Sequence, residues 1–576
     1  IGGGDGTVYL GADDSRQANS LDTSVDYIKL SANYLAGDHV ITAGYDREEL
    51  EIFNIFVQHS RGGEYDYFDD SDSNPAFCAA LTAQQRFDDP LCGTSGIDKF
   101  ELGRPDRIFY GSAAGTNNRF DAAAQFSNVL HSLYIQDEIF IDHVDLTIVA
   151  GLRYEFFESD DRPKFNQNFF DASGIRNDAN IDGVDLLMPR VGFTWGVRDD
   201  LTLRGGVGLY SGGNPNVWLS NAWSNDGISN VQLGGFSGWD EDDFFPTGSL
   251  PNGDPANSFT ILPGSPDSVP LSGTGQPNRD SPQQQIDAVA AATSVPRGLV
   301  LIDPNYEQPS EWKIALGGTW DMPWYDMTLD FDYMHTKGVD PAYYVDVSQT
   351  IVGQTLAGSP IYDYYTEDTF GTEARDNLML TNSPYTPRSN MASFVLTKEW
   401  EFGLKAQLGY AWVEGEDVAS MVAATANSNF TGEALLDIND PLPGNSNWVV
   451  PQRITLGLFY ENNFFGDNPT RIALQGYINE GQPQSYVMDS GDFEGDGFNG
   501  RHLLYVPTGL DDPNVNFRWD DRNSPNPTMQ DDFFAFIARE GLQPGFQERN
   551  ARNTGWTNTW NLSVRQGFSL GDRVYG

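Results

Sequence analysis

Six pairs of alternating segments run along this 576-residue chain, and the connections between them take turns being short and long without once changing places. Inside each segment apolar and polar residues alternate. In "HVDLTIVAGLRYEFF", Val144, Leu146, Ile148, Ala150, Leu152, Tyr154 and Phe156 fall on one face. Asp145, Thr147, Val149, Gly151, Arg153, Glu155 and Phe157 fall on the other. That period of two is the mark of a half-buried strand. "LTLRGGVGLY", "MTLDFDYMH", "FGLKAQLGYAW", "RITLGLFY" and "TRIALQGYI" repeat it. The short connections fall at residues 35–39, 140–143, 197–200, 321–326, 398–402 and 462–470. The long ones cover roughly 59–126, 158–187, 211–308, 338–389, 413–448 and 480–555.

A sandwich or a propeller has no reason to gather every long connection at one end of its strands. An outer-membrane barrel does, because its periplasmic turns are tight and its extracellular loops are long. The short-turn ends also carry Phe140, Trp320, Trp324, Tyr325, Trp400, Phe402, Phe464 and Phe465, where an interfacial aromatic girdle belongs. The predicted fold is therefore all-β: a transmembrane antiparallel β-barrel in the bacterial outer membrane, with short periplasmic turns and long extracellular loops. Val144, Leu146, Ile148 and Leu152 are expected to face outer-membrane lipid, and Asp145, Arg153 and Glu155 a wet lumen. No apolar run approaches the roughly 18 residues of a membrane-spanning helix. A soluble all-β surface protein would alternate in the same way strand by strand; the ordering of the connections separates the two. The pattern gives about twelve strands, with partial ones at "GTVYLG" and "NLSVRQGFSL". An open sheet would leave unpaired edges in lipid, so either further strands beyond both ends close it or the barrel is a smaller one. A first residue of Ile1 rather than Met reads as an internal piece of a longer protein, a processed product being the alternative.

Lys and Arg total 34 against 82 Asp and Glu, a formal net charge of -48. Such a chain does not bind nucleic acid or anionic surfaces by charge, and divalent cations are its natural counter-ions. Cys78 and Cys92 lie fourteen residues apart in a polar segment with no His or further Cys nearby. They read as a disulfide closing a surface loop, worth about 3 kcal/mol by chain entropy, in an oxidising compartment. Two unpaired thiols are the alternative.

The stretch "SLYIQDEIFIDHVDLTIVAGLRYEFF", Ser132 to Phe157, resembles the YxQDE…LxLxxGLRYE hairpin of TonB-dependent outer-membrane transporters. "LMPRVGFTW…LRGGVGLYSGGNPNVWLSNAWSNDG" (Leu187 to Gly227), "LLYVPTG" and "FIAREGLQPGFQERNARN" resemble their Oar-like branch, and the matches span about residues 130 to 568. The resemblance implies a barrel of the roughly 22-stranded class with an N-terminal plug, a TonB-contacting segment and, in this branch, often a small β-sandwich domain. Residues 1–576 would then be a barrel segment, with plug, N-terminal domain and last strands outside this sequence. The implied function is TonB-dependent transport, inward or outward, of a bulky substrate: peptide, protein, glycan or chelated metal. Extracellular loops would capture the ligand, and the TonB complex would act through parts of the chain not present here. The alternative is an outer-membrane surface protein with an adhesive or structural role, whose acidic loops and Ca²⁺ carry contacts to a surface-protein partner. The sequence upstream of Ile1 separates the two.

Two residue groups stand out as candidate sites. "MDSGDFEGDGFNGRHLLYVP" holds Asp489, Asp492, Glu494, Asp496 and Asn499 among glycines, the oxygen-rich set a hard cation requires. Ca²⁺ is the cofactor such a loop would take, although the terminal bidentate Glu of an EF-hand is missing; a solvated acidic loop is the alternative. Asp240, Glu241, Asp242 and Asp243 are contiguous, and such acids repel and solvate. In "NPNVWLSNAWSNDG", Trp218, Asn221, Trp223 and Asn225 offer aromatic faces and amides suited to sugars or peptides. The alternative is packing of the loop against the barrel mouth. "SPQQQIDAVAAA", with Pro282 just inside its start, and "PTMQDDFFAFIARE" read as short loop helices. His39, His59, His131, His143, His335 and His502 show no ligand spacing. No nucleophile elbow, phosphate-cradling loop or HExxH is present, so no enzyme activity is expected.

Overall fold

The computed structural model describes the chain apart from residues 1, 4–5, 11–12, 14, 62, 70–75, 89–91, 94, 103–106, 214, 234–288, 290–297, 365–376, 489–494, 496–499, 516–528 and 569–576. Thirteen strands follow one another in chain order as one antiparallel meander. They are β1 (Ala18–Ala36), β2 (His39–Val57), β3 (Ala124–Ile141), β4 (Leu146–Glu158), β5 (Asp185–Arg198), β6 (Leu201–Ser211) and β7 (Ser310–Met322). The rest are β8 (Met327–Val339), β9 (Arg388–Glu399), β10 (Leu404–Asp417), β11 (Gln452–Phe465), β12 (Asn468–Asn479) and β13 (Thr557–Gln566). β1 pairs only with β2 and β13 only with β12, so the described strands form an open wall. β13 starts four residues before the expected partial strand "NLSVRQGFSL" and takes in its first six residues, 561–566. In "GTVYLG", by contrast, Gly6–Thr7 pairs only with Gly2–Gly3 and stays outside the wall.

The tight connections follow their local chemistry. Gly37 (φ +63°) turns β1 into β2, and Gly466 (φ +65°) turns β11 into β12; both positions lie in the left-handed region that glycine enters without strain. Between β3 and β4, Asp142–Val144 make one 3₁₀ turn and Asp145 closes it at φ 51°. Asp tolerates that conformation better than most residues. Val144 and Asp145 therefore belong to the turn, and the alternation of this hairpin starts at Leu146.

Strand register sorts the side chains into two faces. On one, Leu146 lies opposite Trp195, Ile148 opposite Phe193, and Ala150 opposite Val191. The same row layout carries Leu316 beside Tyr333 and Phe331 beside Phe394. Ile314 and Leu316 are each 50% exposed, Phe394 49% and Leu152 48%. A band this apolar and this uncovered is what lipid would cover. At the short-turn ends Trp324, Tyr325, Phe402, Phe464 and Phe465 are exposed. Trp195 and Trp320 there hydrogen-bond the Val144 carbonyl (3.0 Å) and Asp200 (3.2 Å). These are the girdle positions, with one end of each indole apolar and the other polar. The opposite, inner face carries Arg153, Glu155, Tyr134, Arg190 and Arg204.

The core is not in the sheet. It lies at the far end, where the connections after β4, β6, β8 and β10 pack on one another and on inner-face residues of the wall. Leu50, Ile52, Phe126 and Phe157 from the strands share one buried cluster with Ile181, Trp223, Leu380 and Phe430 from those connections. A small sheet of Val300–Ile302, Leu378–Asn382 and Ala342–Asp346 lies within this layer. None of the described helices is long and apolar enough to cross a membrane.

Candidate functional site

The inner face of β1 to β8 is concave and encloses about 930 Å³. Its polar rows arise because one register carries every odd residue of β4 inward. Arg153 donates to Asp46 (3.1 Å) and to Glu155 (2.6 Å), while Lys29 lies 3.9 Å from the same Asp46. Ser132 joins them, accepting from Arg153 at 2.7 Å. Further along, Arg204 donates to both oxygens of Asp332, at 2.8 and 3.0 Å. Arg153 and Glu155 thus stand on the face expected of them, and Leu146, Ile148 and Leu152 on the other.

Above this concavity the connections close over the wall. Helix α1 (Asn216–Ser224) leaves from β6 yet reaches β2 and β3: Trp223 stacks on Phe126 with ring centroids 4.1 Å apart, and Asn54 donates to Ser220 at 2.7 Å. Its other side grips the connection after β10. Trp218 Nε1 donates to the Ala423 carbonyl (3.0 Å) and Asn221 Nδ2 to that of Ala424 (3.0 Å), just ahead of helix α2 (Ala426–Thr431). Asn225 ends α1, its N–H bonded to the Asn221 carbonyl at 2.9 Å and its own carbonyl accepting from Val300 at 2.8 Å. The structure thus brings Trp218, Asn221, Trp223 and Asn225 together on one helix, with Trp223 and Asn221 buried. Their aromatic face and amides are engaged within the layer of loops.

A second fastening was not legible in the sequence. Arg549, within "GFQERNARN", enters the connection after β10 from the one after β12 with its side chain 4% exposed. It donates to Asp417 Oδ1 (2.6 Å), Glu433 Oε2 (3.3 Å) and the carbonyls of Gly444 (2.9 Å) and Val418 (3.3 Å). Burial pushes the Glu433 carboxyl above its usual range, and the Arg549 charge acts against that. Asn550 adds bonds to the Asn445 carbonyl (2.8 Å) and Asn447 (2.6 Å). Helix α3 (Met529–Glu540) forms where the sequence places one, packing Ile537 against Val506 and Leu542.

In the connection after β2, Cys78 and Cys92 form a disulfide with Cα atoms 5.6 Å apart, both buried. The strand Arg107–Ala113 of that connection pairs with Asn230–Leu233 after β6. All six long connections are thereby joined. Asp489, Asp492, Glu494, Asp496 and Asn499 lie outside the described residues, as do Asp240, Glu241, Asp242 and Asp243 and, apart from Val289, the segment "SPQQQIDAVAAA". Among the described residues, no three or more His, Cys, Asp or Glu side chains are placed to hold a metal ion.

A family model described as the outer membrane beta barrel domain matches residues 4–575. The chain belongs to that family. No curated protein matches this barrel domain. Among solved structures it is similar to the FrpB iron transporter of Neisseria meningitidis, at 10% identity and a TM-score of 0.38, covering 81% of this chain and 45% of that one. The outer membrane transporter YddB of Escherichia coli gives 10% identity and a TM-score of 0.39, with 82% and 44% covered. A ferric enterobactin receptor mutant (PfeA) of Pseudomonas aeruginosa gives 10% identity and a TM-score of 0.37, with 81% and 43% covered. The barrel domain thus spans less than half the length of these proteins. Its outer face meets outer-membrane lipid, its short turns lie at the periplasmic side and its joined connections cap the extracellular side.

Proposed function

We propose that this chain is the wall and extracellular cap of a TonB-dependent transporter that carries a bulky substrate across the outer membrane. The observation that carries this reading is the fastening of α1, which leaves the wall at β6, packs against β2 and β3 and is bonded to the connection after β10. Loops that only fringe an open pore have no need of such bonds to one another. A cap of joined connections suits a passage that stays shut until a ligand and an energy source open it. The hairpin of Ser132 to Phe157, with its likeness to TonB-dependent transporters, supports the coupling to TonB. Ligand capture falls to the outer surface of the cap, and the substrate is a peptide, protein, glycan or chelated metal.

The test compares a source strain lacking this protein with one lacking TonB, by mass spectrometry of the spent medium. A compound depleted by the wild type and left behind by both mutants is the expected result. Depletion that persists without TonB would overturn energy-coupled uptake. Loss of surface attachment in the first mutant alone would favour the adhesive role.

A further inference from the structure

One part of the lumen wall gathers cations in an acidic chain. Acids outnumber bases 82 to 34 overall, whereas the concavity brings together Lys29, Arg153, Arg190, Arg204 and Lys313 beside Glu138 and Asp332, with Asp46, Glu155 and Glu311 paired to three of these cations. Arg153 and Arg204 are committed to the carboxylates described above. Arg190 has none: no Asp or Glu oxygen among the described residues lies within 4.0 Å of its guanidinium. It rests instead on the Tyr210 ring, 4.5 Å from the centroid, and Lys313 approaches the same ring at 5.5 Å. Lys313 has a partly exposed partner in Glu311 at 3.4 Å. Two like charges on one ring repel, and an anion between them would relieve that.

The register sets the dimensions. Arg190 lies opposite Gly208, and Gly208 opposite Lys313, so the two cations stand two strands apart, about 10 Å. Arg204 is four residues from Gly208 toward the periplasmic turn, about 13 Å along the strand. Between them the floor is Gly192, Gly206 and Ala315, with no side chain larger than a methyl. A Cβ on Gly206 would come 2.7 Å from the Val191 carbonyl oxygen, so the floor cannot be raised there without moving backbone.

We propose that this floor, framed by Arg190, Lys313 and Arg204, binds a small multivalent anion whose neighbouring carboxylate or phosphate groups bridge the two cations that converge on the Tyr210 ring. The planar fork of Arg190 supplies a two-bond contact to one oxyanion group and Lys313 a point charge to the next. A concavity of 930 Å³ suits a small ligand. The site rests on the transport reading for its place in a lumen, but its test does not involve TonB.

Titration calorimetry on the full-length protein in detergent at low salt, with tripolyphosphate and with citrate, reads the binding. At least one probe binds wild type, more weakly as salt rises; which probe binds distinguishes phosphate from carboxylate recognition. Arg190→Gln and Lys313→Gln each weaken it about 10-fold or more, as expected for losing a charge-assisted contact. Arg453→Gln, on the inner face of β11 and bonded to Asn479, leaves it unchanged. Heat-modifiable migration on gels reports folding; should Arg190→Gln not fold, Arg190→Lys keeps the charge without the fork and gives intermediate affinity. Absence of binding by both probes, or equal affinity in wild type and the Arg190→Gln, Lys313→Gln double variant, overturns the proposal. Either result leaves the TonB comparison standing, and a negative TonB comparison leaves the anion site standing.

Discussion

Arg549→Met should loosen the cap while sparing the wall. The guanidinium holds two carboxylates and three carbonyls from the end of β10 and the connection after it, and both it and Glu433 are 4% exposed in their side chains. With Met in place, Glu433 keeps only the Ser420 N–H at 2.9 Å. Removing one partner of a buried pair costs about 3–5 kcal/mol because the other charge is left uncompensated. That raises the open population of the cap by about 100- to 4,000-fold, up to complete opening. Limited proteolysis of residues 418–451 and 480–556 in intact outer membranes measures it, with heat-modifiable migration showing that the wall still forms. The pH dependence has a definite sign. Burial already raises the folded-state pKa of Glu433 above its ordinary 4.5, and loss of Arg549 raises it further. A carboxyl with a raised folded pKa contributes its full stability below the unfolded value and loses it as pH rises through the folded one. The variant should therefore regain protection as pH falls toward 4.5, and Glu433→Gln in the same chain should restore much of it at neutral pH. Cleavage within threefold of wild type at neutral pH, or no rescue by Glu433→Gln, would refute the clamp.

Leu152→Arg, on the lipid face, should cost about 2–4 kcal/mol in assembly at mid-membrane depth, whereas Gln136→Arg on the inner face should be mild; urea unfolding in lipid vesicles separates them. Mass spectrometry of unreduced protein from outer membranes should find the peptides of Cys78 and Cys92 linked, and Cys78→Ser should expose that loop to protease first. For the acidic run we expect Ca²⁺ to slow cleavage near Gly495, and Asp492→Asn with Asp496→Asn to abolish the effect; equal rates with and without chelator would make it a solvated tip.

The wall was legible because every residue of a membrane strand meets one of two solvents, so the alternation through Leu152, Arg153, Tyr154 and Glu155 records the face directly. The ordering of short and long connections came through for the same reason: the turns and loops lie at opposite ends. Val144 and Asp145 alternate as a strand would, yet the tight turn needs a left-handed residue and takes Asp145. The cap was not legible. Trp218 and Asn221 bond carbonyls about two hundred residues away in the chain, and no local period encodes such a contact. Arg549 is one cation in an acidic chain until the fold surrounds it with Asp417 and Glu433. The lumen patch was hidden likewise, since Arg190, Arg204 and Lys313 come from three strands and share a site only through the register.

The most direct test of a two-solvent wall is an accessibility scan along β7. Spin labels placed singly from Trp312 to Thr319 in protein reconstituted in vesicles are probed with oxygen, which concentrates in lipid, and with a water-soluble nickel chelate. Ile314, Leu316 and Gly318 should respond to oxygen, and Lys313, Ala315 and Gly317 to the chelate, with the phase reversing at every residue. The two reagents acting alike along the strand, or the opposite phase, would contradict a lipid face over Leu316 and a wet lumen over Lys313.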